Sequence, residues 1–424
     1  MTALLHTALR SAWNRRFALS LTLLSIALAT ALLLGVQRLR HDVRENFVQS
    51  VSGTDLVVGA RGGSVPLMLY AVFRLGEATQ DIGWQSAQWL TQHPAVAWTL
   101  PLAMGDSYRG FPVLGTTTDY FTRYRYGDAQ SLRLREGKAF GGTTDTLFDV
   151  VLGAEVAERL GHRIGDRITL THGSGGLEGA EHADKPFTVV GVLARTGTAV
   201  DRTVHISLQG MQAIHLDWAA GVPLPGMSIP PELVRKFDLT PKRVTAVLVG
   251  LKSRAQVFAM QRAVAGYRDE PLMGVMPGVA LDELWQVVSV GERVMLLVSA
   301  LVVAVGLVGL VATILAGLDA RRRELAVLRA VGARPLHILL LLALEGLIVT
   351  VAGVLLGGAL LAAVSAGLGP WVEAQYGVAL RSVAFNADEL GLLAAIIMAG
   401  TLASLVPAWR AYRLSLADGL SQRF

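Results

Sequence analysis

Four stretches of this chain run so long without charge that a bilayer-spanning helix is the structure that best accommodates them. They are Phe17–Val36, Val294–Leu318, Leu336–Leu368 (broken only by His337 and Glu345) and Leu390–Trp409. A hydrocarbon core about 30 Å thick needs about 20 apolar residues in a helix to cross it. Backbone polar groups in lipid must find partners within the segment, so each stretch is expected to be helical. Composition agrees: 52% of the residues are hydrophobic and 17% charged, against about a quarter charged in ordinary soluble domains.

Arginine placement orients the spans. Arg10, Arg15 and Arg16 precede the first; Arg321, Arg322, Arg323, Arg329 and Arg334 lie between the second and third; Arg410, Arg413 and Arg423 follow the fourth. The loop between the third and fourth holds Arg381 beside Glu373, Asp388 and Glu389. Basic residues favour the cytoplasmic side. Both termini are therefore expected on the cytoplasmic side, with the long segment from about Gln37 to Glu292 outside. The first span follows arginines as a signal peptide would, but its apolar part exceeds the usual length of about 7–15 residues. It reads as a retained anchor.

The fold class expected is an α-helical membrane protein with four transmembrane helices plus a large α+β extracytoplasmic domain inserted between helices 1 and 2. The outer segment opens with "QRLRHDVRENFVQSV", a polar helical pattern able to continue the first span as a stalk. "DLVVGARGG" reads as strand and turn. "SVPLMLYAVFRLG" is an apolar helix too short to span, either buried in the domain or lying on the membrane. "FDVVLGAEVAERLGHRIGDRITL" reads as strand, short helix, glycine turn, strand. "FTVVGVLAR" and "RTVHISL" read as strands, and "VTAVLVGLKSRAQVFAMQRAV" as strand then helix. The expected segments are a cytoplasmic terminus at 1–16, first span and stalk at 17–48, the α+β domain at 49–285, and stalk and second span at 286–318. A cytoplasmic helix at 319–335, the third span at 336–368, an outer loop at 369–389, the fourth span at 390–409 and a cytoplasmic tail at 410–424 complete the series.

Catalytic motifs are missing. The one Gly-Lys pair, Gly137-Lys138, lacks the upstream glycine and following hydroxyl of a P-loop, so the chain is not expected to hydrolyse ATP or bind a cofactor directly. No nucleophile elbow or HExxH pair is present. Cysteine is absent. The net charge of +5 is not gathered into a nucleic-acid-binding motif. Histidines at 93, 162, 172, 182, 205 and 215 fall in the outer segment. His172 and His182 flank the glycine-rich "GSGGLEGAE" and are weak metal candidates, but no spacing matches a compact ligand motif. The expectation is dispersed histidines and no metal.

Within the spans, Glu345 lies about nine residues, or roughly 14 Å, along the third helix. Such a carboxylate usually faces protein or water. It is a candidate for gating or coupling the helices. Gly353 and Gly357 form a small-xxx-small face suited to helix packing or dimerisation.

The loop "ARRRELAVLRAVGARP" has a helical pattern. Leu325, Leu328 and Val331 give an apolar stripe, Arg321 and Glu324 an i,i+3 pair, and Gly332 followed by Pro335 a stop and a restart. "ARRRELAVLRAVGARPLHILLLLALEGLIV", "VPAWRAYRLSLADGL" and "ALRSAWNRRFALSLTLLSIALATALLLGV" together resemble the FtsX-like permease family of ABC transporters, of the MacB and LolC, mechanotransmission type. "VLGAEVAERLGHRIGDRITL" and "FTVVGVL" look like parts of its outer domain.

The resemblance implies a permease subunit, homodimeric or paired with a related permease, seated on separate ATPase subunits that hold ATP and Mg²⁺. It makes the loop a coupling helix, with Arg322, Glu324, Leu325, Leu328, Arg329 and Gly332 at the ATPase and Pro407, Trp409 and Arg410 ending the last helix at the same surface. A periplasmic adaptor or binding protein and membrane lipid are further implied partners. The implied function is export or extraction of an envelope cargo. A non-transporting relay to an extracytoplasmic enzyme, and metal-related envelope transport, are the alternatives. "TDLVVGARGGSVPLMLYAVF" departs from the macrolide-exporter type, so no substrate carries over.

Overall fold

A computed structural model describes residues 16–50, 52–76, 80–173, 181–219, 222–223, 229–320, 327, 329–376 and 385–413. Its longer helices are α1 (Arg16–Gln49), α2 (Ser64–Ala71), α3 (Trp84–Gln92), α4 (Ala154–Leu160) and α5 (Leu208–Ile214), followed by α6 (Val257–Ala265), α7 (Pro277–Ala320), α8 (Pro335–Tyr376) and α9 (Ala387–Arg413). The principal strands begin with β1 (Leu56–Ala60), β2 (Val96–Leu102), β3 (Asp106–Tyr108), β4 (Phe111–Thr116), β5 (Leu134–Gly137) and β6 (Asp149–Leu152). They continue with β7 (Arg167–Ile168), β8 (Thr171–His172), β9 (Phe187–Leu193), β10 (Val204–Ser207), β11 (Ala246–Leu251) and β12 (Leu272–Val275).

The chain divides into two units. One is built from α1, α7, α8 and α9, whose apolar spans Leu19–Asp42, Val288–Leu318, Pro335–Val372 and Ala387–Arg413 are each long enough to cross a membrane. Small residues set their spacing, as expected where lipid provides no hydrophobic drive between helices. A Cβ at Gly357 of α8 would lie 2.6 Å from the Ala27 carbonyl of α1, and one at Gly353 2.8 Å from the Ile26 side chain. On the other side of α8, a Cβ at Gly346 would meet Ser404 of α9, and one at Gly400 would meet Thr350. The Thr22 and Thr313 hydroxyls bond at 2.9 Å between α1 and α7. Arg38 of α1 grips Glu389 of α9 with two hydrogen bonds, Nε to Oε1 at 3.1 Å and Nη2 to Oε2 at 3.2 Å.

The second unit is α+β. Strands in the order β12-β1-β11-β2 form an antiparallel sheet. Alternation along β1 explains why its continuous apolar run is stable: Val57 faces one hydrophobic cluster, while Leu56 and Val58 face another. The second sheet runs β7-β9-β6-β10-β4-β3-β8, with β5 also on β9. It is mixed. β6 pairs in parallel with β9, and β4 with β10, while β10 and β6 are antiparallel. Parallel neighbours need a crossover, and α4 lies within the one joining β6 to β9. Leu114, Val151 and Leu193 of this sheet share a core with Val57, Leu100 and Leu248 of the first.

"SVPLMLYAVFRLG" resolves in favour of burial. Its helix α2 sends Leu67, Met68, Tyr70 and Ala71 into the core, joined by Val72 and Phe73 beyond its end.

Candidate functional site

The loop between α7 and α8 comes first. Arg322, Glu324, Leu325 and Leu328 lie outside the described residues. Val331 donates to the Val327 carbonyl at 3.0 Å, and the turn closes at Gly332, whose φ of 103° a side chain would resist. Val331 is 84% exposed and Val327 58%. Arg329 is half-buried. At the far end of the chain, α9 passes through Pro407 to Arg413, so Pro407, Trp409 and Arg410 do not terminate it. Trp409 stacks on Tyr412 at 5.7 Å, with the Arg413 guanidinium over its ring. Glu345 is buried within the helical unit. Gly353 and Gly357 face α1 of the same chain.

The second constellation lies at the edge of the mixed sheet. The expectation of dispersed histidines fails for half of them. His172, His182, His215 and Asp106 each bring one ligand atom to a common point, all within 4.8 Å of one another. His93, His162 and His205 lie elsewhere. His162 bonds the Tyr108 hydroxyl at 2.8 Å, and His205 is buried against Tyr120.

Four pieces of chain build the cluster. Asp106 opens β3 directly after Gly105, whose φ of 143° favours glycine. His172 is its cross-strand partner on β8, which puts both side chains on one face. The chain turns at Gly173, where φ is 69° and the N–H donates to the Gly105 carbonyl. It re-enters with the His182 N–H bonded to the Leu170 carbonyl at 2.9 Å. Lys185 pins that re-entry: wholly buried, it bonds both Asp217 oxygens at 2.9 and 2.7 Å, and Asp184. His215 follows α5 directly, and Trp218 covers the His182 ring at 4.2 Å.

The electrostatics centre on Asp106. Burial pushes its pKa up, but contacts with His172, His182 and His215 outweigh that and hold the carboxylate well below its usual range. For His215, burial disfavours charge, yet hydrogen bonding and attraction to Asp106 raise its pKa overall. Three imidazoles and one carboxylate form a donor set suited to a first-row divalent metal. Sequence spacing concealed it because β3, β8, the 181–185 segment and α5 meet only in the folded sheet.

The helices and the α+β unit define a multi-pass membrane protein with a large extracellular domain. Residues 19–267 match the MacB-like periplasmic core domain, and residues 296–416 the FtsX-like permease C-terminal domain. The first match alone spans more than half of the chain, which belongs to this MacB/FtsX-type family of ABC transporter permeases. It is a transmembrane subunit, of a kind that is generally non-catalytic and works with an ABC ATPase. Similar solved structures include the periplasmic region of MacB from Actinobacillus actinomycetemcomitans. That pair shares 13% identity, covers 57% of this chain and 96% of the other, and has a TM-score of 0.34. The extracellular domain of the noncanonic ABC-type transporter YknZ from Gram-positive bacteria shares 15% identity, covering 52% and 99%, with a TM-score of 0.29. No curated protein matches the chain.

Proposed function

We propose that this permease is a mechanical transmitter in a bacterial inner membrane, with both termini cytoplasmic. A separate ATPase, holding ATP and Mg²⁺, drives its helices and thereby its periplasmic domain, for export or extraction of an envelope cargo. The observation that carries the reading is the 320–335 connection. It joins two membrane helices through an arginine-rich, amphipathic segment and presents the exposed apolar side chains of Val327 and Val331. An apolar stripe beside basic residues suits docking into a cleft of a partner. Two helices extend beyond their apolar spans, α1 as far as Gln49 and α7 from Pro277. Stiff continuous helices transmit displacement. The membrane-facing surface of α7 is the least covered of the four spans, with Val294, Leu297, Leu301, Val305 and Val308 exposed. It is available to lipid and to a second permease chain, identical or related. A periplasmic adaptor or binding protein would complete the assembly.

Leu328→Asp tests the reading. A buried, unpaired carboxylate in the docking stripe costs several kcal/mol, so copurification of the ATPase should fall by at least ~10-fold. Membrane insertion should be unchanged. Normal recovery of the complex from correctly inserted Leu328→Asp protein would remove the coupling assignment.

A further inference from the structure

We propose that Asp106, His172, His182 and His215 form a binding site for one divalent first-row transition metal, with Zn²⁺ the best fit, in the periplasmic domain.

The distances match metal ligation. Asp106 Oδ1 lies 2.9 Å from His172 Nδ1, 3.3 Å from His215 Nε2 and 3.8 Å from His182 Nε2. His172 Nδ1 and His215 Nε2 are 3.0 Å apart. Ligands held about 2.0–2.1 Å from a tetrahedral Zn²⁺ stand roughly 3.3 Å from each other. These four edges bracket that value, and all pairs lie within 4.8 Å.

Hydrogen-bond accounting points the same way. His215 Nδ1 donates to the Met211 carbonyl at 2.8 Å, so in the neutral imidazole, the form that ligates a metal, Nε2 presents its lone pair to the cluster. A ligating histidine ordinarily donates its other ring N–H in this manner. With His215 neutral, Asp106 Oδ1 is a second acceptor at the same point, and His172 Nδ1 supplies at most one proton to the two of them. His182 is wholly buried, and neither of its ring nitrogens has a hydrogen-bond partner; Asp106 Oδ2 has none either. Buried polar atoms without partners are costly. A cation at the point where the four ligand atoms converge gives the buried His182 Nε2 the partner that no hydrogen bond supplies.

The donor set selects the ion class. Three nitrogens and one oxygen, in a chain without cysteine, suit Zn²⁺, Ni²⁺ or Cu²⁺ more than soft Cu⁺ or hard Mg²⁺. Asp106 and His172 also line a cleft with Tyr70, Arg74, Asp81 and Met104, which gives an ion a path in. Four protein ligands close the coordination shell. The metal is therefore resident, and it clasps β3, β8, the 181–185 segment and the end of α5 to one another.

The test uses full-length protein in detergent, stripped with a chelator and titrated with Zn²⁺ against a fluorescent zinc indicator. One Zn²⁺ per chain should bind with submicromolar Kd. His172→Gln and His215→Gln, at partly exposed positions that tolerate change, should each weaken binding by more than about 100-fold, beyond the usual cost of losing an outer-shell partner. His162→Gln, outside the cluster, should bind as the parent does. Co²⁺ added to the unmodified chain should give the intense visible bands of a tetrahedral site, a readout that needs no variant. Failure of the unmodified chain to take up Zn²⁺ at micromolar concentration, a weak octahedral Co²⁺ spectrum, or unchanged binding by both glutamine variants overturns the proposal. None of these measurements involves the ATPase, so this site and the coupling assignment stand or fall separately.

Discussion

At the scale of single residues, His205 makes a sharp prediction. It sits on β10, wholly buried between Tyr120 and Phe121, with Nδ1 3.3 Å from the Val151 carbonyl. Burial, helped by the Arg74 charge, lowers its pKa from 6.5 to about 3. The unfolded chain therefore binds one more proton than the folded one between those values, and stability falls as pH drops through that window. The ceiling is roughly 5 kcal/mol, at 1.36 kcal/mol per pKa unit. Thermal unfolding of the full-length protein, followed by tryptophan fluorescence from pH 6.5 to 4, should show a steeper loss of Tm for the parent than for His205→Phe. Parallel curves would refute it. His205 also shows the limit of reading residues from sequence. "RTVHISL" identified a strand, but nothing in it distinguished this core histidine from the ligand candidates. The same blindness hid the metal cluster: Asp106 and His172 are 66 positions apart, His172 and His215 43. Only strand pairing and the return of α5 make them neighbours.

At the scale of elements, the Arg38–Glu389 pair ties α1 to the first turn of α9. Its two side chains are 9% and 3% exposed, and Glu389 also accepts from the Asn386 N–H at 3.2 Å. Removing one partner of a buried pair leaves an uncompensated charge and typically costs about 3–5 kcal/mol, whereas replacing both with apolar residues is often neutral. Arg38→Met should therefore lower the detergent Tm clearly, and Arg38→Met with Glu389→Leu should recover most of the loss. A double variant as unstable as the single one would show that the pair does more than satisfy itself. Elements were the most legible level. Apolar run length identified the four spans, and Gly161 with φ of 70° closes α4 where "RLGHR" suggested a turn. Prolines misled. α8 continues through Pro370 to Tyr376, and α9 through Pro407 to Arg413. The Gly353 and Gly357 face was recognisable as a packing surface, but its occupant, α1 of the same chain, was not.

At the scale of the whole molecule, the mechanical reading requires the loop between α7 and α8 to lie on the opposite side of the membrane from the α+β domain. Charge distribution argues for it. Arg321, Arg322 and Arg323 with Arg329 and Arg334 fill that short loop, and an arginine at the middle of a helix costs about 2.5–3.5 kcal/mol to insert. Translocating five of them is strongly disfavoured. The absence of cysteine makes the test clean, because each introduced thiol is the only one in the chain. Val331→Cys and Ile164→Cys are suitable, at positions 84% and 46% exposed. A membrane-impermeant maleimide applied to spheroplasts should label Ile164→Cys fully while leaving Val331→Cys unmodified until the membrane is opened. Neither substitution touches the histidine cluster or the Arg38–Glu389 pair, so folding is preserved and the outcome reports topology alone. Labelling of Val331→Cys in intact spheroplasts would put the docking stripe and the domain it is meant to move on the same side. An ATPase inside the cell would then have nothing to push against.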